Sequence, residues 1–184
     1  MSDDSDSPAI TIRRIPEAEI GRDLAGQLQL ILKASFPDYP ARTYFKLPPH
    51  FRYLALDGDD VVAQMGVELR VIQAGGAVLR TFGVVDLCVR PGGRSRGLAA
   101  QLLAELTGYA RECGMDFIIL FADDDRVYTR NGWARVGNRC TWVKIHEHTT
   151  LGIAQDSLAD ALMVKATGDQ PWPDGDIDLL GHVF

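Results

Sequence analysis

One stretch of the sequence limits the fold more than any other, and it reads VVDLCVRPGGRSRGLAAQLL over residues 84–103. An apolar strand runs into a glycine-rich turn, and apolar residues then recur at helical spacing. At such a turn the backbone N–H groups and the positive end of the helix dipole point outward together, which makes an anion site. The stretch therefore predicts a strand–turn–helix unit on which a diphosphate could bind.

Two common nucleotide-binding motifs fail to match this turn. Gly92 and Gly97 have the spacing of a P-loop, but Leu98 and Ala99 stand where that loop needs a lysine and a hydroxyl residue. The G-x-G-x-x-G dinucleotide motif is absent as well, because Gly92 and Gly93 are adjacent. The turn therefore belongs to neither class.

The rest of the chain alternates strands and helices around this unit. Turn residues at 57–59 and 75–76 separate three apolar runs, which predicts an antiparallel meander, and the apolar run 117–121 is typical of a strand buried on both faces. Segment 37–50, with four prolines, is predicted to be a loop. We predict strands over 9–15, 53–56, 61–73, 78–89, 117–121, 133–145 and 159–166, and helices over 16–36, 97–113 and 126–130.

Length and composition indicate one globular domain. The chain has 184 residues, of which 46% are hydrophobic and 24% are charged. Residues 1–8 are rich in serine and aspartate and are predicted to form a disordered tail, followed by a single domain over 9–184 with a C-terminal extension from about residue 146. Because no stretch has the pattern of a signal peptide or a membrane helix, we expect a cytoplasmic protein without membrane contacts.

The net charge of the chain, its cysteines and its histidines limit which molecules or metal ions the protein could bind. A formal net charge of -6 argues against nucleic-acid binding, which depends on clustered lysine and arginine, and favours a cationic small molecule. Cys88, Cys113 and Cys140 are far apart in sequence and are predicted to be free thiols. Since His146 and His148 are two candidate ligands without a third, no metal site is predicted.

Two blocks of sequence together resemble the GNAT superfamily of N-acetyltransferases. Residues 94–99, R-S-R-G-L-A, resemble its acetyl-CoA loop, (Q/R)-x-x-G-x-(G/A), and residues 128–133, Y-T-R-N-G-W, are similar to its Y-x-x-x-G-(F/W) block. The second block follows the apolar run 117–121, in the order and at the separation that the family shows. The resemblance covers residues 10–145 and implies the α/β GNAT fold.

This resemblance implies a mixed, mostly antiparallel central sheet, flanked by helices and splayed open between the strand that ends near Val89 and the strand over 117–121. Acetyl-CoA would be the co-substrate, with its pantetheine arm in the opening. The backbone of Leu87, Cys88 and Val89 would pair with that arm. The pyrophosphate would be held by Arg94, Ser95, Arg96, Gly97, Leu98 and Ala99.

Direct attack of an amine on acetyl-CoA in a ternary complex is also implied. Tyr128 stands where the family places the acid that protonates the departing thiolate. The base could be Asp86 at the opening or a residue of the run 123–125, although water could relay the proton and that run could equally cap a helix. Cys88 lacks a sequence neighbour that would stabilise a thiolate, so it is not expected to carry the acyl group.

Two subgroups of the superfamily share further features with this chain, and both acylate amino sugars. Aminoglycoside 2′-N-acetyltransferases, including the kasugamycin type, are similar over 85–90, 126–133 and 172–176, and nodulation N-acyltransferases are similar over 172–178. We therefore expect an aminoglycoside or related amino sugar as acceptor, in the manner of an antibiotic-resistance enzyme. Residues predicted to bind it are Trp172, by stacking on a sugar ring, and Asp174, Asp176 and the terminal carboxylate of Phe184, by their negative charge.

Several alternatives stay open. The C-terminal residues could be a solvated tail, and the acceptor could be a polyamine, a peptide or a chito-oligosaccharide. The domain could also bind acyl-CoA without turnover, which the presence of both sequence blocks disfavours. Because some members of the superfamily pair through C-terminal strands, a homodimer is a further expectation.

Overall fold

The computed structural model describes residues 10–93 and 96–184. The predicted tail over 1–8 lies outside the described residues, as do Arg94 and Ser95 of the predicted pyrophosphate turn. Within the described part of the chain, each helix is too short or too polar to cross a membrane. The elements are, in chain order, β1 (Thr11–Pro16), α1 (Arg22–Ser35), β2 (Phe51–Asp57), β3 (Asp60–Ala74), β4 (Ala77–Val89), α2 (Leu98–Glu112), β5 (Phe117–Phe121), α3 (Arg126–Arg130), β6 (Ala134–Arg135), β7 (Arg139–His146), β8 (Thr149–Ser157), β9 (Leu162–Ala166) and β10 (Ile177–Asp178).

The strands of the described residues join one mixed sheet. Strands β1 to β4 pair antiparallel in sequence order, β5 adds to β4 in parallel, and β9 and β6 continue the sheet beyond β5. At the far end of β3, β10 pairs antiparallel with β3 and parallel with β7, and β7 forms a hairpin with β8. The sheet is mixed and mostly antiparallel, which confirms the predicted α/β architecture.

The two long helices cover opposite faces of the central strands. Ala55 of β2 shares a buried cluster with α2, whereas its neighbour Leu54 shares one with α1. Successive side chains of a strand point to opposite faces, so the two helices lie on opposite sides of the sheet. The helix residues buried there are Leu102, Leu103 and Leu106 of α2 and Leu28, Ile31 and Leu32 of α1.

Several elements differ from the sequence prediction. The predicted strand over 133–145 is two strands, because β6 pairs with β9 whereas β7 pairs with β8 and β10, and the turn residues Gly137 and Asn138 lie between them. Strand β8 was not predicted from the sequence, and its side chains are mostly exposed, Leu151 and Ile153 among them. The first helix begins at Arg22 rather than Pro16, after a 3-10 turn over Glu17–Glu19.

Strand β4 loses its partner on one side part-way along its length. Its parallel pairing with β5 covers 81–83, opposite 117–119, although β4 continues to Val89 and stays paired with β3 to its end. Strand β5 stays paired with β9 up to Phe121. The two strands therefore separate beyond Gly83, which confirms the predicted opening and places it at the C-terminal ends of both strands.

Candidate active site

A cavity of about 560 Å³ lies between the end of β4 and helix α3. Leu87, Cys88 and Val89 form one wall and Tyr128 forms the other. A second cavity, of about 440 Å³, shares Leu87 and Tyr128 with the first and continues it between the ends of β4 and β5, where Leu120 lines it. We call the two cavities together the β4–β5 cleft.

A β-bulge in β4 puts Asp86 at this cleft. Gln64 of β3 lies opposite Cys88 and Gly66 lies opposite Val85, so β4 has one residue more than β3 between these pairs. Asp86 absorbs the extra residue in a left-handed backbone conformation with a φ of 53°. That conformation costs about 1–2 kcal/mol for a residue with a side chain. Strained backbone of this kind is typical of functional sites.

Groups around the carboxylate of Asp86 act on its pKa in opposite directions. Burial raises the pKa of Asp86, whereas the Tyr39 hydroxyl, which donates a hydrogen bond to Oδ2, lowers it, as do the charges of Arg52 and Lys46. Burial prevails, so the pKa of Asp86 lies above its usual value. A carboxylate with a raised pKa is a stronger base, which suits proton abstraction from an amine.

Tyr128 faces both cavities from the short helix α3. Its ring packs edge-on against Trp133 at a centroid distance of 5.9 Å, and its carbonyl accepts hydrogen bonds from the N–H groups of Asn131 and Trp133. These contacts follow from the Y-x-x-x-G-W spacing. Burial raises the pKa of the Tyr128 hydroxyl, so it is protonated at neutral pH and can donate a proton.

Two residues of the acidic run before α3, Asp124 and Asp125, form ion pairs with arginines. Asp124 receives hydrogen bonds from Arg126 on both carboxylate oxygens, at 2.6–3.0 Å, and the side-chain and backbone bonds from Arg126 lower the pKa of Asp124 to about 2. Asp125 forms an ion pair with Arg135 at 3.2 Å. Because Asp124 and Asp125 are paired in this way, Asp86 is a better candidate for the base than either of them; Asp123 lines the second cavity together with Asp86.

Helix α2 begins beside the first cavity, which its second residue, Ala99, lines. Gly97 precedes the helix with a left-handed φ of 72°, a conformation that glycine adopts without strain. Since glycine has no side chain to cap the helix, the first N–H groups of α2 are left for an anion. Leu98 is buried, Ala99 lines the first cavity, and Arg96 forms an exposed ion pair with Asp57 at 3.4 Å.

The sequence matches the family model of the acetyltransferase (GNAT) domain over residues 25–136, which is more than half of the chain. The chain belongs to the GNAT family. Both walls of the β4–β5 cleft lie inside the matched region. Membership supports acetyl-CoA-dependent N-acetyl transfer.

Solved structures share the fold of this GNAT domain at low sequence identity. YhbS from Escherichia coli, a GNAT family N-acetyltransferase in complex with CoA, is 19% identical, with a TM-score of 0.62 and with 94% of this chain and 91% of that chain covered. A GNAT family acetyltransferase from Brucella melitensis in complex with acetyl-CoA is 15% identical, with a TM-score of 0.56 and coverages of 89% and 94%. At these identities the likeness shows the fold alone.

A longer protein contains a similar domain. The GCN5-related N-acetyltransferase from Kribbella flavida is 20% identical over 71% of this chain, with a TM-score of 0.56. This chain spans about a third of its length, 34%. No curated protein sequence gives a significant match.

Cys88 of the GNAT domain is a buried thiol in the wall of the cleft. Burial raises the pKa of Cys88 to about 11, although Gln64 lies within hydrogen-bond distance of its Sγ at 3.7 Å. A nucleophilic cysteine needs the opposite, a lowered pKa. The sequence expectation that Cys88 does not carry the acyl group therefore has a physical basis.

Trp172, predicted to stack on the acceptor, lies at the closed end of the sheet. Its ring packs perpendicular to Phe117 at a centroid distance of 4.9 Å, and its Nε1 donates a hydrogen bond to Asn138 Oδ1 at 2.8 Å. Phe117 is the first residue of β5, whereas the cleft is lined by its last two residues, Leu120 and Phe121. Trp172 is therefore partly buried and packs against the core of this GNAT domain.

Asp174 and Asp176, predicted to attract the acceptor, lie beside the β3–β4 turn. The carbonyl of Asp176 accepts a hydrogen bond from the Gly75 N–H at 3.0 Å, and the backbone of Asp174 is packed against Gly75. A strand rises about 3.3 Å per residue, which puts this turn roughly 30 Å from Asp86 along β4. The structure thus places Asp174 and Asp176 at the opposite end of β4 from the cleft, and their role in acceptor binding, like that of Trp172, stays a prediction.

Phe184 is the predicted acceptor residue that the fold does bring to the cleft. Its ring stacks on Phe121 at a centroid distance of 6.3 Å, and the Arg70 guanidinium lies over its ring at 4.2 Å. Gly83 faces the same ring so closely that a Cβ there would overlap it. Phe184 therefore covers the point at which β4 and β5 separate.

Aromatic residues of the proline-rich loop form a further cavity that the sequence did not assign to the site. This cavity, of about 360 Å³, is lined by Phe36, Tyr39 and Phe45, with Asp38 and Asp86 beside them. Phe36 and Asp86 also line the β4–β5 cleft, so the two spaces adjoin. The sequence shows these aromatic residues, but not that the fold places them beside Asp86.

The residue types that commonly bind metal ions do not lie close together in the described residues. Among residues 10–93 and 96–184, histidine, cysteine, aspartate and glutamate form no group of three that could hold a metal ion. His146 and His148 are exposed at the β7–β8 turn.

Proposed function

We propose that this GNAT domain transfers an acetyl group from acetyl-CoA to a primary amine of an aminoglycoside or related amino sugar, by direct attack in a ternary complex. The observation that carries the proposal is the β4–β5 cleft, in which the free edge of Leu87–Val89 faces Tyr128 and leads to the strained Asp86. The cleft joins an extended binding edge, an acid and a base in one place.

The binding roles follow from the two ends of the first cavity. Among the described residues, no strand pairs with the cleft-facing edge of β4 beyond Gly83, so the backbone of Leu87, Cys88 and Val89 can pair with the pantetheine amides. The start of α2 at Gly97 to Ala99 adjoins the same cavity and suits the pyrophosphate. Arg94, Ser95 and Arg96 complete this proposed anion site by the family resemblance.

The proposed reaction forms one N–C bond and breaks one C–S bond. The neutral amine of the acceptor attacks the thioester carbonyl, and its proton passes to Asp86, directly or through water. The CoA sulfur leaves as a thiolate and takes the proton of the Tyr128 hydroxyl. Since a thiol has a pKa of about 8.5 and the pKa of Tyr128 is raised, the proton that Asp86 takes from the amine returns through water to the Tyr128 phenolate, and both side chains end as they began.

The acceptor proposal rests on charge and on the loop cavity. A cationic amine is attracted by the net charge of -6 and by Asp38 and Asp86. The rings of Phe36 and Phe45 offer apolar faces on which a sugar ring can pack. The resemblance to amino-sugar enzymes over 85–90 and 126–133 falls on the cleft itself.

The test measures thiol release from acetyl-CoA with aminoglycosides, kasugamycin among them, and with a chito-oligosaccharide, polyamines and peptides. Release with an aminoglycoside, lost in Asp86→Asn, supports the proposal. Asparagine is the matched replacement because it tolerates the left-handed conformation of position 86. Release with a polyamine or a peptide alone would reassign the acceptor, and tight acetyl-CoA binding without release for any amine would contradict the transferase proposal.

A further inference from the structure

Two buried side chains hold Asp86 from different directions. The Tyr39 hydroxyl donates a hydrogen bond to its carboxylate, and the Gln64 side-chain amide donates one to its backbone carbonyl. Gln64 is fully buried and Tyr39 is 5% exposed. The strained residue at the cleft is thus fixed at both its side chain and its main chain.

The contact with Gln64 is a consequence of the bulge. Because β4 has an extra residue at this point, Asp86 has no residue of β3 opposite it in the register of backbone pairs. A buried carbonyl without a partner is costly, and Gln64 of β3 supplies the missing donor. The left-handed conformation of Asp86 is therefore supported by a side chain of the neighbouring strand.

The orientation of the Gln64 amide is determined by Arg52. Arg52 is fully buried and donates from Nη1 to Oε1 of Gln64 at 2.9 Å. Since a guanidinium can only donate, Oε1 must face Arg52, and the NH2 group of Gln64 must face Asp86. Arg52 is itself held by Glu17 at 2.6 Å and by the carbonyl of Thr43 at 2.6 Å. The side-chain amide of Gln64 therefore cannot flip without breaking these buried hydrogen bonds.

The direction of the Tyr39 hydrogen bond is equally defined. The Tyr39 ring is packed between Phe36, at 5.8 Å, and Phe45, at 6.0 Å. Burial raises the pKa of Tyr39 far above its usual value. The hydroxyl therefore keeps its proton and donates a hydrogen bond to the Asp86 carboxylate. An ionised carboxylate can only accept, which matches this arrangement.

We propose that Gln64 and Tyr39 are positioning residues of the transfer reaction, which hold the main chain and the carboxylate of Asp86 so that the carboxylate faces the acceptor amine. The inference rests on the proposed function, in which Asp86 is the base. The titratable groups that face Asp86 from the surrounding elements are Tyr39 and Lys46 of the loop, Arg52 of β2, Glu68 of β3 and Cys88 of β4.

Tyr39→Phe removes one hydroxyl and tests the carboxylate contact. The hydrogen bond stabilises the ionised form, so its loss raises the pKa of Asp86. We expect the acidic limb of the kcat/KM profile to move up by about one pH unit and kcat to fall about tenfold, with the KM for acetyl-CoA unchanged. Tyr53→Phe, which alters another buried tyrosine outside the cleft, is the matched control and should move neither quantity.

Gln64→Glu replaces the NH2 donor to Asp86 with an oxygen, while the retained Oε1 still accepts from Arg52, so the buried arginine keeps a partner. We expect kcat to fall about tenfold with the KM for acetyl-CoA unchanged. Gln27→Glu is the matched control, because Gln27 also donates from Nε2 to a backbone carbonyl, that of Asp59 at 3.0 Å, but at the β2–β3 turn. An unchanged kcat in Gln64→Glu, or an equal fall in Gln27→Glu, would overturn the role of Gln64.

A titration of the Asp86 carboxyl by ¹³C NMR, assigned with Asp86→Asn, separates this inference from the proposed function because it needs no turnover. A higher pKa of Asp86 in Tyr39→Phe but not in Tyr53→Phe supports the positioning role. An identical titration in all three proteins would overturn it, even if thiol release occurs. Absence of thiol release from the wild-type protein with every amine would contradict the proposed function instead.

Discussion

The two ends of β4 differ more than their sequences suggest. From Thr81 to Gly83 the strand is paired on both sides, and Trp172 packs on Phe117 of the neighbouring strand β5. Beyond Gly83 it keeps β3 but loses β5, and a bulge at Asp86 bends it. Both ends are rich in apolar residues, as buried strands are. A binding cleft therefore arises here from lost pairing rather than from a change in composition.

The comparison also separates two sets of C-terminal residues. Trp172 and Asp176 complete the paired end by covering β5 and the β3–β4 turn. Phe184 reaches the open end and lies on Gly83. Substitutions at the open end should change binding or turnover, whereas those at the paired end should change stability. The four predictions below test this division, in order of decreasing effect on function.

Gly97→Glu should weaken acetyl-CoA binding by about a hundredfold or more. It puts a negative charge and a side chain at the proposed pyrophosphate site, in a left-handed conformation that glycine alone adopts freely. Isothermal titration with CoA measures the effect. Gly108→Glu adds the same charge in an exposed position of the same helix and should leave affinity intact. Equal affinity in both variants would remove Gly97 from the site.

Tyr128→Phe should lower kcat about a hundredfold while the affinity for CoA stays within about a factor of two, because the variant loses the proton donor but keeps the ring. Since burial raises the pKa of Tyr128, the wild-type profile should show no loss of activity from this group below about pH 10. Tyr109→Phe, on α2 outside the cleft, is the control. An unaltered kcat would exclude Tyr128 as the acid.

Gly83→Ala should raise the KM for the acceptor about tenfold and lower the free energy of unfolding by about 1–3 kcal/mol. The added methyl group overlaps the Phe184 ring and displaces it from the junction of the two ends. Steady-state kinetics and urea unfolding measure the two effects. Gly26→Ala on α1, where a methyl group meets nothing within 4 Å, should leave KM unchanged. If Gly83→Ala costs stability alone, Phe184 has no part in acceptor binding.

Trp172→Phe should leave both KM values and kcat unchanged and lower the free energy of unfolding by about 1 kcal/mol, through loss of the hydrogen bond to Asn138. Thermal or urea unfolding and steady-state kinetics distinguish the effects. A raised KM for the acceptor at unchanged stability would instead restore the acceptor role that the sequence predicted for Trp172.

Local patterns predicted much of the fold and one side of the site. The short apolar run predicted β5 with its correct bounds. The sequence around Tyr128 predicted α3, and the block from Tyr128 to Trp133 identified Tyr128, which lines the cleft. These succeed because the deciding contacts lie within a few residues of each other. The separation of β6 from β7 and the existence of β8 were missed, since they depend on which distant strand each one pairs with.

What the sequence by itself determined is the strand–turn–helix unit, the family and the candidates Tyr128 and Asp86. The tertiary structure alone decided which residues accompany them. Tyr39 and Gln64 are 47 and 22 residues from Asp86 in sequence, and they meet it because a loop closes over one side of β4 and β3 pairs along the other. Tertiary packing also decided the positions of Trp172, which packs on Phe117, and of Phe184, which packs on Phe121. Periodicity records the face on which a side chain lies, but not the partner it meets there.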